Sequence, residues 1–205
     1  CKIYKIERRG LLKYKQREGL PKACASRFLK FKKMNYGEIK FYDIANGVGV
    51  RTSLFVSGCR NHCEDCFNRE TWAFDFGKPY TRETEDEIIE SLKPDYIAGL
   101  SVLGGEPFEK ENQPEVLKLI RRVKKEFPKK SVWIYSGFTL EEILHGSRAS
   151  GETANEILKS ADVLVDGRFD KTKKNITLKF RGSENQRIID LEPTLLQKKV
   201  VLKDI

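Results

Sequence analysis

The chain has 205 residues, 39% of them apolar, enough to bury a hydrophobic core within one domain. No apolar run approaches the roughly 20 residues a membrane helix needs, the longest being YIAGLSVL at 96–103, so a soluble protein is expected. The formal charge of +9 suggests nucleic acid or a membrane surface only until it is located: residues 1–33 hold 12 Lys and Arg against Glu7 and Glu18, while residues 34–205 hold 27 basic and 28 acidic side chains.

In chain order the basic leader comes first. It begins with Cys1, and the only methionine is Met34, just ahead of a strand-like run at 38–44. Met34 is therefore expected as the natural start, with residues 1–33 disordered or not native and residues 34–205 forming a single domain. A basic arm that touches nucleic acid or an acidic partner is the other reading. The leader lacks the apolar stretch and cleavage site of a secretory signal.

Beyond it, short apolar runs alternate with helical patterns. TSLFVSG (52–58), YIAGLSVL (96–103), VWIYSG (132–137) and DVLVDG (162–167) read as strands buried on both faces. Thr84 with Glu87 has capping-box spacing ahead of Ile88, Ile89 and Leu92. Val116, Leu117, Leu119, Ile120 and Val123 form a stripe at helical spacing, ended by Pro128. Thr139 with Glu142 and Thr153 with Glu156 offer two further capping boxes. This alternation predicts an α/β fold of mainly parallel strands, as an open sheet or a partial (β/α) barrel. Ligands in such folds bind at the C-terminal ends of the strands, where the cysteine loop after Gly58 and the Gly104-Gly105-Glu106-Pro107 turn would both lie. The stretch 178–203 mixes β-prone runs with turns and specifies no topology.

Cys59, Cys63 and Cys66 form a C-x3-C-x2-C loop, and no other cysteine follows Met34. An odd, tight cluster argues against a disulfide framework and for metal or redox chemistry in a reducing compartment, hence the cytoplasm. Three thiolates on one loop suit three corners of a 4Fe-4S cluster and leave the fourth iron open. Spacing alone also allows a zinc site from Cys59, His62, Cys63 and Cys66, although adjacent ligands would strain it. Gly47-x-Gly49 precedes a strand and lacks a third glycine, so it reads as a turn. Trp72 and Trp133 read as packing residues, His145 as a surface residue near a helix end, and Arg187 as a solvated side chain.

The cysteine spacing resembles the signature of the radical S-adenosylmethionine superfamily. NGVGVR (46–51), GGEPF (104–108), CFNRETW (66–72), DVLVDGRF (162–169) and RGSENQR (181–187) follow in the order seen in glycyl-radical-enzyme activases, most closely those that serve anaerobic ribonucleoside-triphosphate reductases. The resemblance runs from about Met34 to the C-terminus. It implies a partial barrel with the cluster at the strand ends, and cleavage of S-adenosylmethionine to a 5′-deoxyadenosyl radical that takes the α-hydrogen of a partner glycine. It implies Cys59, Cys63 and Cys66 as the only protein ligands of the cluster, and no protein acid or base. Gly104, Gly105 and Glu106 are implied at the methionine amino group, and Ser136 and Gly137 at ribose or carboxylate. The wider superfamily often has an aromatic immediately before the third cysteine. Here that position is Asp65, and Phe67 is expected to contact adenine instead.

The implied partners are the glycyl-radical subunit of the reductase and a low-potential electron donor such as flavodoxin or ferredoxin, with no membrane. The near-neutral body argues against direct nucleic-acid binding. Another small radical enzyme and a zinc-bearing binding module remain the competing classes.

Overall fold

The computed structural model describes residues 34–205; the expectation for the leader lies outside the described residues. Seven strands form one open sheet in the order β3-β1-β2-β4-β5-β6-β7. They are β1 (Asn35–Asp43), β2 (Val50–Val56), β3 (Lys78–Pro79), β4 (Ile97–Gly104), β5 (Ser131–Tyr135), β6 (Val163–Asp166) and β7 (Arg187–Asp190). The four central strands, β2, β4, β5 and β6, run parallel, whereas β1 and β7 pair antiparallel on either side of them. The four apolar runs expected as buried strands are these four, displaced by one or two residues at their ends.

Helices separate the parallel strands. They are α1 (Arg82–Ser91), α2 (Gln113–Glu126), α3 (Leu140–Leu144) and α4 (Glu152–Ser160), and α5 (Leu191–Gln197) follows β7. The predicted α2 stripe is real: Val116, Leu119, Ile120 and Val123 are fully buried, while Leu117 packs at the margin of the core. Burial of such side chains contributes roughly 1.5–3 kcal/mol each. Of the three expected capping boxes, only Thr139 with Glu142 forms, each side chain accepting from the other residue's N–H at 3.2 and 2.9 Å. Helix α1 begins three residues earlier than its Thr84-Glu87 spacing suggested, because Thr81 accepts from the Thr84 N–H. Gly151 takes the cap of α4, leaving Thr153 inside the first turn.

The opposite face of the sheet is partly polar. Arg51 is wholly buried, donating through Nε to Ser101 Oγ at 2.8 Å and through Nη2 to the carbonyls of Leu100 and Ser131, both at 2.8 Å. It thereby ties the starts of β2, β4 and β5 together. Trp133, 5.5 Å from the Arg51 guanidinium, packs with Val163, Val165 and Ile188 in a second, smaller core. Among the described residues, no helix is long and apolar enough to cross a membrane.

Candidate functional site

Parallel register brings the carboxyl ends of β2, β4, β5 and β6 to one edge, with Val56 opposite Gly104 and Tyr135 opposite Val165. The loops that follow interlock through backbone bonds. Gly105 N–H donates to Val56 at 2.7 Å, Glu106 N–H to Gly58 at 2.9 Å, and Gly58 N–H to Thr71 at 2.7 Å. The glycine pair is needed for this closeness. Gly104 has φ +105° with Phe55 Cα 2.7 Å from where a Cβ would stand, and a Cβ on Gly105 would lie 2.7 Å from the Gly58 carbonyl oxygen.

Cys59, Cys63 and Cys66 are free thiols that line one cavity of about 620 Å³. Gly104, Gly105, Ser136, Gly137 and Phe67 line the same cavity, so eight of the nine residues expected at the site from sequence meet there. The volume falls in the range of cofactor pockets. Burial pushes the Cys59 thiol up to about 12 and raises Cys63 as well, so a metal bound here would displace protons from sulfur. Among the described residues, no three His, Cys, Asp or Glu side chains converge as a single metal ion requires. His62 stacks on Trp72 at 4.4 Å. Three soft donors on one cavity are a ligand set that suits an iron-sulfur cluster.

Glu106 is the exception. It is fully buried and absent from the cavity wall, its carboxylate turned inward. Oε1 accepts from Ser136 Oγ at 2.9 Å and Phe108 N–H at 3.0 Å, and Oε2 from Gly137 N–H at 2.8 Å and Asn61 Nδ2 at 2.9 Å. Rather than presenting an open carboxylate to a ligand, it joins the loops that follow β2, β4 and β5. Asn112 braces them too, donating from Nδ2 to the carbonyls of Ser57 and Glu106, both at 2.9 Å.

Several side chains are placed differently from their sequence reading. Trp72 is more than packing, because it lines the cavity and supports the cysteine loop through His62. Arg187 is not merely solvated: it pairs with buried Asp166 at 2.5 Å and with Glu141 at 2.7 Å, while Asp166 also accepts from Leu140 N–H. Asp65 has φ +56°, a left-handed conformation that Asp tolerates better than an aromatic, which accounts locally for the departure before Cys66. Phe67, 74% exposed, stands in a T-shaped arrangement with Phe169 at a ring-centroid distance of 5.6 Å, and Lys174 Nζ lies over its ring 5.4 Å from the centroid. Phe169, Tyr135 and Lys174 also line the cavity; Phe169 closes the DVLVDGRF run, whereas nothing in the sequence marked Tyr135 or Lys174 for the site.

A family model described as a 4Fe-4S single cluster domain matches residues 45–189. Similar curated proteins carry the name anaerobic ribonucleoside-triphosphate reductase-activating protein. The Vibrio cholerae protein is 43% identical over 157 residues, 76% of this chain and 97% of the relative. The Escherichia coli K12 protein is 39% identical over 155 residues, 75% and 96% of the two chains. The protein of enterobacteria phage T4 is 39% identical over 155 residues, 76% and 93%.

Proposed function

The chain belongs to the family of anaerobic ribonucleoside-triphosphate reductase-activating proteins, and from that premise we propose how its residues carry out the activation. It is a 4Fe-4S oxidoreductase, an activating enzyme that uses S-adenosylmethionine. Cys59, Cys63 and Cys66 hold the cluster, and the observation that carries this assignment is their shared position on one cavity with the glycine turn. When bound, the cluster supplies the low-potential electron for reductive cleavage of S-adenosylmethionine, from which the glycyl radical of the reductase follows.

The protein's own part is to bind, orient and exclude water. Gly104 and Gly105 offer backbone close to the cysteine loop for the methionine amino group, and Glu106 fixes that backbone from behind. Ser136 and Gly137 end β5 on the same rim, where they approach ribose or carboxylate. Phe67, exposed on the cavity wall, offers its ring to adenine. By holding S-adenosylmethionine on the same cavity as the three cysteines, these residues would make electron transfer from a bound cluster intramolecular, and no side chain is required as acid or base.

In this reading the sheet is a partial (β/α) barrel of mainly parallel strands, with the cluster at the C-terminal strand ends and residues 34–205 acting as one domain. The partner is the glycyl-radical subunit of the reductase, the electron donor is of the flavodoxin or ferredoxin kind, and the setting is the reducing cytoplasm. Anaerobic reconstitution tests the ligand set. Wild type should bind about four irons and four sulfides per chain, and Cys63→Ala should lose the cluster. A colourless protein with stoichiometric zinc would refute the assignment.

A further inference from the structure

The two residues that follow Cys59 are gripped by segments far away in the chain. Glu109, 1% exposed, accepts from the Arg60 backbone N–H at 2.9 Å, from the Arg60 guanidinium at 2.5 Å and from Arg148 Nε at 3.2 Å. Arg148 lies with its guanidinium 4.5 Å from the centre of the Phe138 ring and donates from its second nitrogen to Asn61 Oδ1 at 2.6 Å. The other end of that amide, Asn61 Nδ2, donates to Glu106. Both hydrogen-bonding atoms of the Asn61 amide are therefore committed. Arg60 is held by backbone and side chain together, with Glu111 binding its outer nitrogen at 2.5 Å.

The second limb of the loop is held far less. Between Cys63 and Cys66 there is a turn closed by the Cys66 N–H at 3.2 Å from the Cys63 carbonyl, and an exposed ion pair of Glu64 with Lys171. The anchoring is thus concentrated on the Cys59–Cys63 limb; the second limb has the Glu64–Lys171 pair and a backbone N–H of Phe169 directed at the Cys63 sulfur. Charge-assisted bonds to a buried carboxylate are the strong kind, and a loop ordered in advance loses less conformational freedom when its ligand arrives.

We propose that Glu109 and Arg148 are positioning residues that set the Cys59–Cys63 limb before iron is bound, so that only the Cys63–Cys66 limb has to order around the cluster. This rests on the assignment of the three cysteines as cluster ligands. Neither residue lines the cavity; both act through Arg60 and Asn61.

Hydrogen–deuterium exchange on the iron-free full-length chain, paired with the rate of iron loss to a chelator after reconstitution, tests the proposal. Because Glu109 is buried, the partly exposed Arg148 carries the main variant. Arg148→Ala is expected to raise exchange in peptides covering 60–63 and to speed iron loss, each by about tenfold, with β2 and β4 exchanging as in wild type. Arg148→Lys, which keeps the charge but lacks the planar fork, should fall between. Glu109→Ala should reproduce the pattern. Unchanged exchange at 60–63 in Arg148→Ala, or a rise that spreads through β2 and β4, would overturn the proposal. Exchange is read without cluster or reductase, so its failure is distinct from failure of the activase reading, which shows in the iron content of wild type.

Discussion

Burial pushes the Glu106 carboxyl up to about 7, against the opposing pull of the donors from Phe108, Gly137 and Ser136. An unfolded glutamate titrates near 4.5, so the folded state binds the proton more tightly. The stabilisation is complete below about pH 4.5 and is lost as pH rises through about 7, a change of about 3 kcal/mol. Urea unfolding of the iron-free protein across this window should show the decline, and Glu106→Gln should remove its share of the slope. The neighbouring glycine makes a steric prediction. In Gly105→Ala the new methyl meets the backbone oxygens of Gly58 and Thr71 at 2.7 and 3.0 Å, and neither can move without shifting the cysteine loop. A loss of about 2 kcal/mol in denaturant unfolding is expected, together with reduced iron binding.

At the scale of elements, Arg51 shows how the sheet edge opposite the site is held. Its guanidinium satisfies Leu100 and Ser131 carbonyls at 2.8 Å, and it is so enclosed that burial lowers its pKa to about 10. Arg51→Ala removes those donors and opens a cavity beneath Trp133, so unfolding free energy should fall by about 3 kcal/mol in chemical denaturation. The central strands were legible in sequence because strands buried on both faces are continuous apolar runs, and the cysteine loop because its three cysteines lie within eight residues. Helix starts were less legible: Thr84-Glu87 and Thr153-Glu156 have the right spacing, yet Thr81 and Gly151 occupy the caps. Chain between β6 and β7 was opaque for another reason. Its order comes from side chains bonding to backbone, such as Arg181 to the Gln186 carbonyl and Gln186 to Gly182 N–H, which leave no periodicity. Glu109 and Arg148 were invisible because their partners lie 49 and 87 residues away, at Arg60 and Asn61.

For the whole molecule, the parallel strands deliver three cysteines, a glycine pair and the residues that follow β5 to one cavity, and the loops around it are tied to each other by backbone hydrogen bonds. In the proposed reading, that arrangement would leave room on the cavity for S-adenosylmethionine and for a peptide loop of the reductase. The activating role is tested most directly by electron paramagnetic resonance. The reconstituted protein is reduced anaerobically and mixed with S-adenosylmethionine and its cognate anaerobic ribonucleoside-triphosphate reductase. A glycyl radical doublet should grow on the reductase with wild type and be absent with Cys63→Ala. Cleavage of S-adenosylmethionine by a fully loaded wild-type protein with no radical on the reductase would contradict it.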